Sequence, residues 1–190
     1  YRNSQIMGIK RYTANADTTI TNAYKANLNT RATGSNMGLA DSLEVFHIFG
    51  QESSTSAENS RILIDFPVTT TITSDRSAGT IPASGSVSWF LRVHNVVHPG
   101  TLPRNYNMTI SAVSRSWDEG TGLDMEGYTD SGSCNWTSAA SSSGGDISWT
   151  TAGGDYHAAA TGSTAYFDNG TEDIEVDISH LVEEWVKGLS

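Results

Sequence analysis

Cysteine, lysine and proline are scarce: the 190 residues hold one Cys, three Lys and four Pro. A lone Cys134 excludes an intrachain disulfide and a cysteine-based zinc site. It reads as a buried, inert thiol, because free Cys behaves as a small hydrophobe. Positive charge is short as well, with 11 basic residues facing 21 acidic ones for a formal charge of −10. That deficit argues against a phosphate-backbone partner, since nothing would replace the condensed counterions, and against an anionic membrane surface. Long apolar runs are absent, and none approaches the ~20 residues of a membrane span. No signal-peptide pattern is visible, and the sequence opens at Tyr1 rather than Met, so a processed or incomplete N-terminus is expected.

Charged residues of all kinds reach only 17%, against roughly 25% in ordinary soluble chains. The polar surface comes instead from 25 Ser and 22 Thr, accompanied by 18 Gly. Short polar and β-branched residues with many glycines describe strands and tight turns. Apolar and polar residues alternate in short runs, beginning with Ser42 to Ile48. Arg61-Ile62-Leu63-Ile64-Asp65-Phe66 ends at Pro67, which cannot donate to a strand ladder. Val68 to Thr73 is β-branched at nearly every position and reads as strand, and Val87 to Val93 reads as a strand buried on both faces. Asn107 to Val113 places Met108, Ile110 and Ala112 on one face. Breakers such as Gly79, Pro82, Gly85, Pro99-Gly100 and Pro103 separate the runs.

This pattern predicts an all-β, antiparallel sandwich, with residues 1–190 as one domain. Its core is expected to include Ile62, Ile64, Phe66, Trp89, Phe90, Leu91 and Trp185. One helix is expected, at the C-terminus. Ser179 is its N-cap, Ile178, Leu181, Val182, Trp185 and Val186 share its apolar face, and Gly188 stops it. Between Asp118 and Gly162, glycines and the run Ser138 to Ser143 predict long ordered loops around brief strands near Asn135-Trp136 and Ile147 to Trp149.

No nucleophile elbow, zinc-protease helix, P-loop or dinucleotide fingerprint is present, which points away from catalysis. His94 and His98 are four apart, but they follow a strand, so helical metal-ligand spacing is not expected. Acidic loops offer a structural calcium site at Asp118, Glu119 and Asp124, although no EF-hand spacing is present and solvated loops are the simpler reading. A second acidic loop spans Asp168 to Asp177. Trp117, Trp136 and Trp149 lie in or beside the loop region. They can form an aromatic platform for a glycan, or anchor their own loops from beneath, which is the commoner arrangement. Asn107, Asn135 and Asn169 each head an Asn-x-Thr sequon.

The order of several segments resembles a known family. Asn36-Met37-Gly38 is followed by Leu43-Glu44-Val45 and Arg61 to Phe66. Then come Trp117-Asp118-Glu119-Gly120, Ile147-Ser148-Trp149-Thr150, and a close at Glu175 to Ser179, Val182 and Trp185 to Gly188. Together these resemble the DNRLRE-type β-sandwich domain across almost the whole chain. The resemblance implies a jelly-roll-like sandwich of the carbohydrate-binding-module type, found on secreted bacterial proteins, polysaccharide-active enzymes and surface assemblies. It also implies one further strand after Gly188, so the chain is expected to lack its last strand or to belong to a longer protein. The stretch Thr18 to Phe46 is similar to virion proteins of marine tailed phages.

The expectation is a non-enzymatic virion structural, decoration or appendage protein. It would oligomerise or pack against neighbouring subunits, localise to the particle, and present a glycan-binding face. The alternative is a carbohydrate-binding module of a secreted polysaccharide-active enzyme at the cell surface. A lyase or hydrolase would need Arg92, Arg104 and Arg115 in one cleft. No cofactor is expected beyond the calcium.

Overall fold

The computed structural model describes residues 8–97, 102–157 and 162–188. The chain runs through β1 (Ala16–Thr21), β2 (His47–Phe49) and β3 (Ala57–Asp65) into a π-helical turn (Val68–Ile72) that continues as α1 (Thr73–Ser77). Then follow β4 (Phe90–Val93), β5 (Tyr106–Ile110), β6 (Ser138–Ser142), β7 (Gly145–Ser148), β8 (Ser163–Phe167), β9 (Ile174–Asp177) and α2 (Ser179–Val186). The fold is therefore rich in strands and poor in helix. His98, Pro99-Gly100 and the residues after Gly188 lie outside the described residues.

Every strand pairing is antiparallel. β3 lies between β1 and β2 in a three-stranded sheet. The other pairings nest: β4 with β9, β5 with β8, and β6 with β7. A bridge between Val113 and Tyr156 falls inside the nest, between the middle and inner pairs.

Three apolar clusters hold these small sheets. Ile20 of β1 and Leu63 of β3 meet Cys134, Trp136, Ala139 and Trp149, with Val113 and Trp117 at the margin. Leu181 and Val182 of α2 pack with Ala112 and Ile178 under Trp89, Leu91 and Val176. Val68, Ile72 and Ile81 form the third cluster, which shares Trp89 and Trp185 with the second. Within β3 the buried apolar side chain is Leu63; the polar Glu58 and Ser60 are buried too, and Ile62 and Ile64 are half-buried on the face opposite Leu63. Cys134 is buried as expected, and desolvation pushes its thiol up to about 12.

Three expectations are corrected. Val68 to Thr73 is helical, because Val68 and Ile72, four apart, both reach the apolar cluster from one face of a turn. Hydroxyls bond back onto that turn: Thr73 Oγ1 donates to the Val68 carbonyl and Ser74 Oγ to the Thr70 carbonyl, both at 2.6 Å. Packing here overrides β-propensity, which is strongly context-dependent. Second, β4 is half-buried on one face and exposed on the other. It belongs to a two-stranded sheet, and Phe90, 53% exposed, points outward with Arg92, which pairs with Glu175 across β9. Third, the residue before α2 is Ile178, and Ser179 is its first helical residue. The Ser179 amide donates to Asp177 Oδ1, and Ser179 Oγ accepts from the Trp89 amide, tying the helix start to β4.

One ion pair clamps the helices. Arg76 of α1 donates through both terminal nitrogens to Glu183 of α2, at 3.1 and 2.6 Å, and the Trp89 indole donates to Glu183 Oε1 at 2.9 Å. The Arg76 guanidinium foremost, and the indole after it, lower the Glu183 carboxyl from 4.5 to about 2. A depressed folded pKa contributes stability that is complete above the unfolded value and is lost as pH falls through the folded one. Glu183→Gln is therefore expected to be less stable than the parent at neutral pH by roughly 2–3 kcal/mol. The gap should close as pH falls from 4.5 toward 2. Thermal melts of both proteins across that range check this, and a gap independent of pH would show that the carboxylate charge contributes nothing.

Candidate binding site

The loop at Asn36 and the loop from Glu119 to Cys134 meet around one side chain. Asn36 is 1% exposed, and its carboxamide uses its full hydrogen-bonding capacity. Nδ2 donates to the Glu119 carbonyl at 2.9 Å and to the Cys134 carbonyl at 2.8 Å. Oδ1 accepts from the Gly122 amide at 2.7 Å and the Gly38 amide at 3.3 Å. Glycine is required around this hub because backbone crowds it. A Cβ on Gly38 would lie 1.9 Å from the Glu119 carbonyl oxygen, and one on Gly122 would lie 2.0 Å from that of Asn36. Glu119 completes the join by accepting from the Asp17 amide at the start of β1. These residues hold loops together.

The tryptophans divide. Trp136 and Trp149 are 8% and 5% exposed within the first apolar cluster, and Trp117 packs half-buried against it. The Trp149 indole donates to the Asn135 carbonyl at 2.9 Å. These rings anchor the loops from beneath, so an exposed three-ring platform is not what the chain builds.

The carboxylates proposed for calcium are also engaged elsewhere. Asp124 accepts from the amides of Glu126, Gly127 and Thr129 and from the Thr129 hydroxyl. Led by that hydroxyl, these donors hold its carboxyl far below the usual range. Asp118 accepts from the Ser141 amide, while Glu119 faces Asp17. Among the described residues no three His, Cys, Asp or Glu side chains come together as a metal site requires. The second acidic loop behaves alike, with Glu172 accepting from the amides of residues 168 to 171. Much of the acidic excess thus serves as acceptors for loop backbone. His94 pairs with Asp173 at 3.0 Å. Of the sequons, Asn107 and Asn169 are exposed. Asn135 is buried, its carboxamide turned onto the amides of Thr137 and Ser138.

A site that sequence reasoning missed lies where the chain leaves β5 and meets the loop after β7. Ser114, Arg115, Thr150, Thr151, Gly154, Asp155 and Tyr156 line an open pocket of about 450 Å³. Arg115 is fixed on three sides. Its Nε sits 3.2 Å from Asp155 Oδ2, and its terminal nitrogens donate to the Ser148 carbonyl and Thr150 Oγ1. Asp155 also accepts from the amides of Thr150 and Thr151, both at 2.9 Å, and these contacts, Thr150 first, lower its pKa. The Arg61 guanidinium lies 5.3 Å from the Trp136 ring centre and 5.2 Å from that of Tyr156, so Tyr156 is the outer layer of a cation–aromatic stack. Arg61 is pinned in turn by the Gly153 carbonyl at 2.6 Å. Arg115 pairs here while Arg92 pairs with Glu175, so the cleft of convergent arginines that a lyase would need is not assembled from these two.

No protein-family model matches the chain, nor does any curated protein or any solved structure.

Proposed function

We propose that the chain is a non-enzymatic β-sandwich subunit of a virion or a similar surface assembly, packed against neighbouring subunits. The observation that carries this reading is the distribution of open strand edges and exposed apolar side chains. β2 is an edge strand whose three residues, His47, Ile48 and Phe49, are all exposed. Phe90 of β4, Tyr166 of β8 and the pair Val96-Val97 are exposed too. Free edges and apolar surface are liabilities for an isolated monomer and contact surface for an assembly.

The nested pairing of β4–β9, β5–β8 and β6–β7 is that of a long hairpin rolled on itself, which supports a jelly-roll wrapping of the sandwich. A net charge of −10 keeps free subunits apart before assembly. No helix among the described residues is long and apolar enough to cross a membrane. The alternative, a carbohydrate-binding module of a polysaccharide-active enzyme, draws its support from the Arg115–Tyr156 pocket. A glycan-contacting face is compatible with either role.

Banding source lysate on a density gradient and locating the chain by peptide mass spectrometry separates the two readings. Fixed stoichiometry with capsid or tail peptides is the expected result. Recovery only from soluble or culture-medium fractions would overturn the virion reading.

A further inference from the structure

We propose that the Arg115–Asp155–Tyr156 pocket binds a neutral pyranose unit of a glycan. The inference gives the glycan-contacting face an address on this chain, and it does not depend on the particle assignment.

The pocket combines three properties that point to one ligand chemistry. Its volume, about 450 Å³, falls in the range of small-ligand sites. One wall is the Tyr156 ring, 47% exposed, whose position is fixed by the guanidinium of Arg61 and the Trp136 ring beneath it. A half-exposed ring with a braced position offers an apolar surface at little entropic cost to the protein. The rest of the lining is hydroxyls and a planar donor fork. Ser114, Thr150 and Thr151 contribute hydroxyls, and Arg115 retains donors beyond those used on Ser148, Thr150 and Asp155. A ligand satisfying both walls needs a C–H face and a rim of hydroxyls, which describes a sugar ring.

Charge selects among sugars. Asp155 neutralises Arg115 inside the pocket, so the lining has no net charge to offer a carboxylate or sulfate. The surrounding chain, at −10, repels anions further. The site is thus built for a neutral hexose and against a uronate.

The test is amide chemical-shift mapping of the isotope-labelled chain. It is titrated with hexasaccharides of α-1,4-glucose, β-1,4-glucose and β-1,4-mannose, and with a hexauronate. At least one neutral chain is expected to shift the amides of Thr150, Thr151, Gly154 and Tyr156, while the hexauronate leaves them unmoved. Tyr156→Ala should weaken that binding about tenfold or more, the loss expected from deleting an aromatic contact. Thr151→Trp, at an exposed position whose backbone amide still reaches Asp155, should block the pocket without touching the arginine clamp. Three outcomes each overturn the proposal: no shift at these amides with any neutral chain, unchanged affinity in a folded Tyr156→Ala or Thr151→Trp, or tighter binding of the hexauronate. None of them bears on the density-gradient result, so the two readings fail separately.

Discussion

Trp149→Ala is expected to lower unfolding stability by roughly 3–5 kcal/mol, the usual cost of deleting a buried tryptophan. The ring is nearly sealed in a cluster with Ile20, Leu63, Cys134, Trp136 and Ala139, and its loss leaves a cavity that Ile20, Leu63 and Ala139, held by β1, β3 and β6, cannot fill. A second term adds to the first. The indole donor satisfies the Asn135 carbonyl, and removing it leaves a buried acceptor without that partner. A large fall in the urea midpoint, with little change in slope, is the expected signature. Phe49→Ala serves as the contrast, since that ring stands exposed on an edge strand and should cost almost nothing in the isolated chain. Equal midpoints for Trp149→Ala and the parent would mean that the ring is not the anchor its burial indicates, and the platform reading would return.

What the sequence disclosed follows from how local each feature is. The alternation around Met108 marks β5, because the pleat converts a period of two directly into faces, while β3 shows as an apolar run closed by Pro67. Leu181 and Val182 fall on the buried side of α2, and Gly188 takes positive φ just after it, so the last helix was legible from face and stop signal alone. The residues Val68 to Thr73 misled because their β-branching describes a preference worth tenths of a kcal/mol, whereas burying Val68 and Ile72 on one face is worth several times that. Burial of Phe90 was overestimated because an apolar run does not say how many strands its sheet has. The Arg115 pocket was hidden for a different reason. Arg115 and the residues 148 to 155 that fix it come from separate stretches of chain, and no periodicity links them. Composition counts the carboxylates of the acidic loops but not the backbone amides that bond to them.

Asn36→Asp exchanges one NH2 group for an oxygen and should still be among the most damaging substitutions available to this chain. Both Nδ2 protons point at carbonyl oxygens, those of Glu119 and Cys134, at 2.9 and 2.8 Å. An ionised aspartate would present a charged acceptor to two acceptors, in a position that water does not reach. A protonated one would offer a single donor to the pair. Each buried group deprived of a partner costs about 1–3 kcal/mol, and more when a charge is involved, so a loss of roughly 4 kcal/mol or more is expected at neutral pH. Asn36→Ala opens all four contacts, two more than Asn36→Asp, but introduces no charge, so it is the uncharged reference for the titration rather than a milder variant. The pH dependence separates repulsion from simple loss. The introduced carboxyl has a folded pKa raised by burial and by the two carbonyls. The neutral form is therefore the one the fold tolerates, and the deficit relative to the parent should shrink as pH falls through that raised value. Asn36→Ala, with nothing to titrate, should show a deficit that stays flat. Urea midpoints of the three proteins at neutral and mildly acidic pH settle the matter. Parallel curves for Asp and Ala would mean that the hub fails by losing donors alone, without repulsion between the carboxylate and the carbonyls of Glu119 and Cys134.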